Sequence, residues 1–406
     1  AGQTDGGLGL SVNGVSEYPS EKINENQHEA TEYGVVSWLH ATDRFAGQVS
    51  VFGRYSALTY TPDPVPEIIY NGVSQYAHKT DAAGGLQAEG SYKLGDQHTV
   101  RAGVILELDR SDSKTTSQVM LINNNPASPN FGDQIGQSPY TIVDNGAKTA
   151  TTYSVYLQDE WKLLPNLTLN YGLRFDQFDG YRSENQLSPR VNLVWLPAPE
   201  TTVHLGYARY FSPPPFELIG SESVTKFVEP TGNPLVTSSA APSITDDTTP
   251  YAERAHYFDV GVEQKFSSRL TVGLDSYYKI STHLVDEGQF GAPIVLTPFN
   301  YQDGRQWGVE LTANYVDGPF NAYVNAAHGV AQGRKWISSE FSFDQASINY
   351  VATHYIFLDH DQDLSISAGA SYLWEGTRLG ADILYGSGLR ADGFLAAPIV
   401  YPDGSE

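Results

Sequence analysis

His354, Asp359, His360, Asp361 and Asp363 are the densest set of metal-ligating side chains in the chain. Imidazole beside carboxylates can hold a divalent cation, although the same residues equally suit a solvated loop at a strand end. Asp159 and Glu160 are adjacent carboxylates. Neighbours on a strand point to opposite faces, so they cannot act as a joint acid–base pair. Arg174, Arg182, Arg190 and Arg209 could face inward or line a mouth and meet an anionic ligand, or could pair with carboxylates inside a sheet. Phe211-Ser-Pro-Pro-Pro-Phe216-Glu217 combines stiff proline backbone with flanking aromatics and could present a contact surface or a rigid strand exit. Arg174, Arg209, Phe211, Phe216 and Glu217 are therefore the candidate ligand-binding residues. There is no nucleophile elbow, phosphate loop or zinc helix motif. No catalytic residue, resident metal or cofactor is assigned, and an enzyme is not expected.

The elements that must position these side chains are strands. From Leu167 to Asp176, Leu167, Leu169, Tyr171, Leu173 and Phe175 alternate with Thr168, Asn170, Gly172, Arg174 and Asp176. A period of two marks a strand with one apolar face. Tyr153–Lys162 precedes it across Leu164-Pro-Asn166, which is turn chemistry. Six further hairpins repeat this plan, among them His256–Phe266 with Leu270–Ile280 and Gln306–Tyr315 with Phe320–Ala327. With a weak strand at Leu8–Val12, about fifteen strands are expected. Hairpin turns are short, whereas the connections between hairpins read as long polar loops, notably Thr61–Lys79, Ser111–Lys148, Phe211–Pro250 and Gly288–Gln306.

The totals narrow the class. Of 406 residues only 17% are charged and 12% are aromatic, with 26 tyrosines and one methionine. Such a composition favours sheet over helix. With 24 basic against 47 acidic residues, net −23, no basic stripe exists to neutralise phosphates, and a nucleic-acid partner is not expected. The absence of cysteine excludes disulfides and thiol chemistry. No stretch is apolar enough for a membrane helix. Short turns on one side, long loops on the other, strands of about ten residues and aromatics at strand ends instead predict a transmembrane β-barrel, with short periplasmic turns and long extracellular loops. Every backbone group of a sheet in lipid must be paired, which favours closure. The competing expectation is a soluble β-sandwich or propeller.

Tyr156-Leu-Gln-Asp-Glu-Trp161 with Leu167–Asp176 resembles a recurrent barrel hairpin of TonB-dependent outer-membrane receptors. Leu187-Ser-Pro-Arg-Val-Asn192, Gly206-Tyr-Ala-Arg-Tyr-Phe211, Asp359-His-Asp-Gln362, Gly369-Ala-Ser-Tyr-Leu-Trp374 and Leu384-Tyr-Gly-Ser-Gly-Leu-Arg390 are similar to further motifs of that family. The resemblance runs from about Tyr33 to Arg390. It implies an all-β, antiparallel, up-and-down barrel of about 22 strands closed by an N-terminal plug. It also implies location in the outer membrane of a Gram-negative bacterium, contact with outer-membrane lipid, and partnership with the plug and the TonB energising complex. The implied cargo is a small molecule such as a ferric siderophore or another metal chelate. On this view residues 1–406 are one partial barrel domain without the plug, the first strands and about the last four strands. A general porin or structural barrel, and a soluble β-rich adhesin or carbohydrate-binding protein, are the alternatives.

Overall fold

The computed structural model describes residues 8–216, 224–241, 249–289, 296–338 and 345–390. Its first half holds β1 (Asn26–Ala41), β2 (Phe45–Thr61), β3 (Val73–Leu94), β4 (His98–Asn123), β5 (Gln134–Leu164), β6 (Leu167–Asp179), β7 (Ser183–Ala198) and β8 (Thr201–Ser212). The second half holds β9 (Val236–Ser238), β10 (Glu253–Lys265), β11 (Leu270–Gln289), β12 (Leu296–Asp317), β13 (Phe320–Ser338), β14 (Ile356–Phe357), β15 (Leu364–Trp374) and β16 (Thr377–Gly386). Among the described residues three short α-helices lie in connections: α1 (Pro64–Asn71), α2 (Val224–Val228) and α3 (Gln345–Val351). None is long and apolar enough to cross a membrane.

All strands belong to one antiparallel sheet in which the long strands pair in sequence order, β1 to β16. The short β9 pairs with β4, and β14 with β13, off this path. β1 and β16 are the two edges and do not pair with each other among the described residues. This is the up-and-down order that short hairpin turns impose. Alternation then sorts the side chains: on β6, Leu173 is 51% exposed on one face, while Asp176 is buried on the other. The apolar face is wet only in the absence of lipid, and we read it as the bilayer-facing surface.

Two sequence expectations change. Leu8–Val12 is not a strand: Val12 makes only an isolated bridge to Val15, and Gly9 and Gly14 flank it at φ +73° and +87°. Leu10 and Val12 instead pack beneath Ile68, Ile69 and Met120. The long loops are also largely strand. β4 runs to Asn123 and β5 starts at Gln134, so most of Ser111–Lys148 is a paired hairpin. β3 begins at Val73 and β12 at Leu296, well inside the expected loops, and only residues 180–182 separate β6 from β7. Beyond the bilayer an extended hairpin meets water or other loops on both faces. It keeps its ladder hydrogen bonds and loses the period-two signature.

The buried core follows from these extensions. Val73, Val119, Ile142, Phe227, Leu284, Phe299 and Tyr301 form its largest cluster, with Tyr140, Trp336 and Ile356 packed against it. All lie at the long-connection end, where α2, α3, β9 and β14 fold onto the projecting strands. α1 is seated beside them. Pro64 opens it, Gly72 closes it at φ +79°, and the Gly72 N–H donates to the Ile68 carbonyl at 2.9 Å. The Ser239 hydroxyl donates to the Gly72 carbonyl, and its N–H donates to the Met120 carbonyl at 2.9 Å.

Candidate functional site in the polar face and mouth

The polar face of the sheet carries fixed charge at several levels. Arg54 pairs with Asp81 at 3.0 Å and Arg101 with Glu160 at 3.1 Å. Arg174 donates to Asp176 Oδ1 at 2.7 Å and to Ser154 Oγ at 2.8 Å, and Ser154 Oγ donates to the same carboxylate oxygen at 2.6 Å. Arg174 is thus held by a carboxylate of its own strand. Asp159 and Glu160 separate as alternation requires: Asp159 accepts from His98 Nδ1 at 2.7 Å and from the Tyr171 hydroxyl at 3.3 Å, whereas Glu160 faces Arg101.

Between β8 and β11 the polar face is aromatic and charged together. Tyr210 meets Tyr257 edge-on at 5.9 Å, and Tyr257 stacks on Tyr277 at 6.0 Å. His204 Nε2 lies 3.4 Å from Asp259 and 3.1 Å from Asp275. Gly206 and Gly261 leave the room for these groups, because a Cβ at Gly261 would stand 1.9 Å from Asp275 Oδ1. A concavity beside this file is lined by Arg190, Asn192, Gly206, Tyr210, Tyr257 and Asp259. The three tyrosines were not among the candidate residues. The signal available in the sequence is aromatic residues falling on the polar phase of β8, β10 and β11.

The mouth is held by a second polar lattice. Arg254 pairs with Glu184 at 2.8 Å, and Glu253 accepts from Lys279 at 2.6 Å and from Ser281 at 2.8 Å. Asn300 binds Tyr251 through both backbone groups and also reaches the His283 carbonyl. Arg182 lies over the Tyr251 ring at 3.7 Å and donates to the carbonyls of Thr249 and Pro250. The imidazole of His283, half-buried between Arg254 and Arg182, is pushed below its ordinary pKa, first by burial and then by those cations.

The sequence candidates divide. Phe216 packs with Phe178 and Ala150, joined by Tyr181 and Phe211. Burial pushes the Tyr181 hydroxyl well above the usual tyrosine range. The Arg254 guanidinium sits 5.4 Å from the Phe211 ring. Glu217 lies outside the described residues. Arg209 shares its strand face with Leu205 and Tyr207, and its Nε is buried without a hydrogen-bond partner among the described residues. Of the two expected placements, inward or lining the mouth, alternation from Leu205 removes the first: Arg209 stands on the apolar side of β8, at its mouth end.

The histidine–aspartate set also disperses. Asp361 is buried against Arg390 at 2.8 Å, Asp363 lies 3.2 Å from His328, and His354 stacks on Tyr350. Only Asp359 and His360 remain together. With Asp286, from the end of β11, their ligand atoms fall within 4.8 Å of one another. Asp286 is 73 residues from Asp359, so no local spacing could signal it.

The family model described as "TonB dependent receptor-like, beta-barrel" matches residues 2–396. No curated protein matches the chain. Similar solved structures include the siderophore receptor PiuA from Acinetobacter baumannii, at 15% identity and TM-score 0.57 over 92% of this chain and 56% of that one. The ferric yersiniabactin uptake receptor FyuA from Yersinia pestis aligns at 13% identity and TM-score 0.61, over 92% of this chain and 53% of that one. The ferric citrate transporter FecA aligns at 13% identity and TM-score 0.56, over 88% and 49%. The chain thus spans about half the length of these structures, and the likeness shows the fold.

Proposed function

Because the chain belongs to the TonB-dependent receptor-like β-barrel family, we propose that it supplies the wall and mouth of an outer-membrane receptor for energised uptake of a scarce ligand. The cargo is a ferric siderophore or a similar metal chelate, and the membrane is the outer membrane of a Gram-negative bacterium. The observation that carries this reading is the file Tyr210, Tyr257 and Tyr277, set on the polar face beside Arg190, Asp259 and His204. Aromatic faces next to fixed charges suit a planar, anionic, hydrogen-bonding chelate. In this reading Arg174 adds a fixed cation on the polar face and Phe216 packs the mouth, and no covalent step is needed. Release past the wall requires a plug and the TonB energising complex, which are partners in this proposal. The similar structures named for siderophore and ferric citrate uptake support the cargo class.

The test is growth of iron-starved cells whose own receptors are deleted, complemented with the full-length natural gene and supplied with defined ferric siderophores. Tyr257→Ala with Tyr277→Ala should lower uptake about tenfold, the scale of two lost aromatic contacts. Uptake that is indifferent to energy coupling and graded only by solute size would replace the receptor with a porin.

A further inference from the structure

On the polar face one arginine is left unpaired by the protein itself. Arg54, Arg101 and Arg174, the other arginines that β2 to β8 set on this face, each meet a carboxylate. Arg190 forms no ion pair and no hydrogen bond among the described residues. Its place in the sheet explains why. Direct cross-strand pairing puts Gln158, Gly172, Arg190, Ala208 and Tyr257 in one row, so neither neighbour of Arg190 carries a polar side chain.

The groups around it are equally unused. Asn170, Asn192, Gly206 and Asp259 form the next row toward the short turns. The side-chain amides of Gln158, Asn170 and Asn192, and the hydroxyls of Tyr210 and Tyr257, have no hydrogen-bond partner among the described residues. All five line the same concavity as Arg190, over a floor of Gly206 and Ala208. That floor cannot rise, because a Cβ at Gly206 would stand 2.1 Å from Asp259 Oδ1. The concavity therefore gathers one guanidinium, three amides and two phenols, none of them satisfied by the protein.

This donor set selects a ligand. Guanidinium donates and never accepts, so the ligand must bring an acceptor to Arg190. The planar fork fits two oxygens on one atom, as in a carboxylate or a phosphate. Asp259 stands on the same rim, 3.4 Å from His204, and its charge disfavours the doubly charged phosphate. The same carboxylate accepts from a hydroxyl placed beside the ligand's own carboxylate.

We propose that this concavity is a station on the wall, below the mouth, for a hydroxycarboxylate chelate, with ligand carboxylate on Arg190, the amides of Asn170 and Asn192 beside it, and ligand hydroxyl on Asp259. The station rests on the uptake reading above and narrows its cargo from metal chelates in general to those built on hydroxycarboxylates.

The test measures energy-dependent uptake of radiolabelled iron by receptor-deleted cells carrying the full-length natural gene. Iron is supplied as ferric citrate, ferric malate, a linear tris-hydroxamate chelate or a tris-catecholate chelate, the last two free of carboxylate. Uptake from citrate or malate is expected. Arg190→Gln should lower it about tenfold or more, the scale of one lost charge-assisted fork. Arg190→Lys should recover only part of it, because the ammonium keeps the charge without the fork. Both variants should keep the parent's mobility difference between heated and unheated samples, which reports an intact wall. Uptake confined to the hydroxamate or catecholate chelate, or carboxylate uptake indifferent to Arg190→Gln, overturns the station. Equal loss for every chelate taken up assigns Arg190 to a protein carboxylate inside the barrel and overturns it too. Uptake of none of the four overturns the receptor reading itself.

Discussion

At Glu67 a carboxyl sits where water does not reach. Its Oε1 accepts from the Tyr60 hydroxyl and from the Asp63 N–H, both at 2.9 Å, while Oε2 has no partner among the described residues. Burial pushes its pKa from the ordinary 4.5 up to about 7. The folded mouth then binds this proton more tightly than the unfolded chain does. The associated stability is full below the ordinary carboxylate pKa and is lost as pH rises toward 7, a difference of roughly 3 kcal/mol. Docking of α1 should accordingly be firmer at pH 5 than at pH 8, as read by protease cleavage in residues 62–72. Glu67→Gln keeps the acceptor for Tyr60 and cannot ionise, so its cleavage rate should be the same at both pH values. A pH dependence that survives the substitution would assign it to another group.

Among the elements, β6 tests the membrane assignment most directly. Leu173 pairs with Leu157 and Pro189, well along the strand, while Leu169 pairs with Trp161 close to the short turn. The alternation gave both leucines the same face; only the register separates their depths. Leu173→Arg should cost about 2–4 kcal/mol in a bilayer, as for a cation near the midplane. Asn170→Arg, on the polar face, should cost much less. Urea unfolding from liposomes measures both, and similar values at the two positions would exclude lipid on the leucine face. The same logic of alternation explains why the sequence of the β4 and β5 extensions predicts a loop. Ser111, Ser113, Thr115 and Ser117 are buried on one side, so the buried face is itself polar and offers no contrast to detect.

For the whole molecule, the sheet wall and the mouth are held by different forces. The wall is a ladder of backbone hydrogen bonds between sequence neighbours, with an apolar surface left for lipid. The mouth has the water-excluding core, assembled from α2, α3, β9, β14 and the strand extensions. Phe227 is fully buried in that core. Phe227→Ala should destabilise the mouth by about 3–5 kcal/mol, opening it to protease. The wall should retain its mobility difference between heated and unheated samples. Loss of both together would show that the two fold as one cooperative unit.

By itself the sequence determined the alternating segments of the long strands, their order and the face most of their side chains take. Those are local properties: a period of two, turn residues such as Leu164-Pro-Asn166, and pairing of consecutive strands. It also carried the family resemblance, in motifs such as Leu167–Asp176. Only the tertiary structure decided which distant residues meet. Asp286 joins Asp359 and His360 across the mouth, and Leu10 and Val12 become core under α1 instead of a strand. Gln158 and Tyr257 fall into one row although 99 residues separate them. Register is set by the accumulated pairing of five strands, so no spacing in the chain encodes it locally.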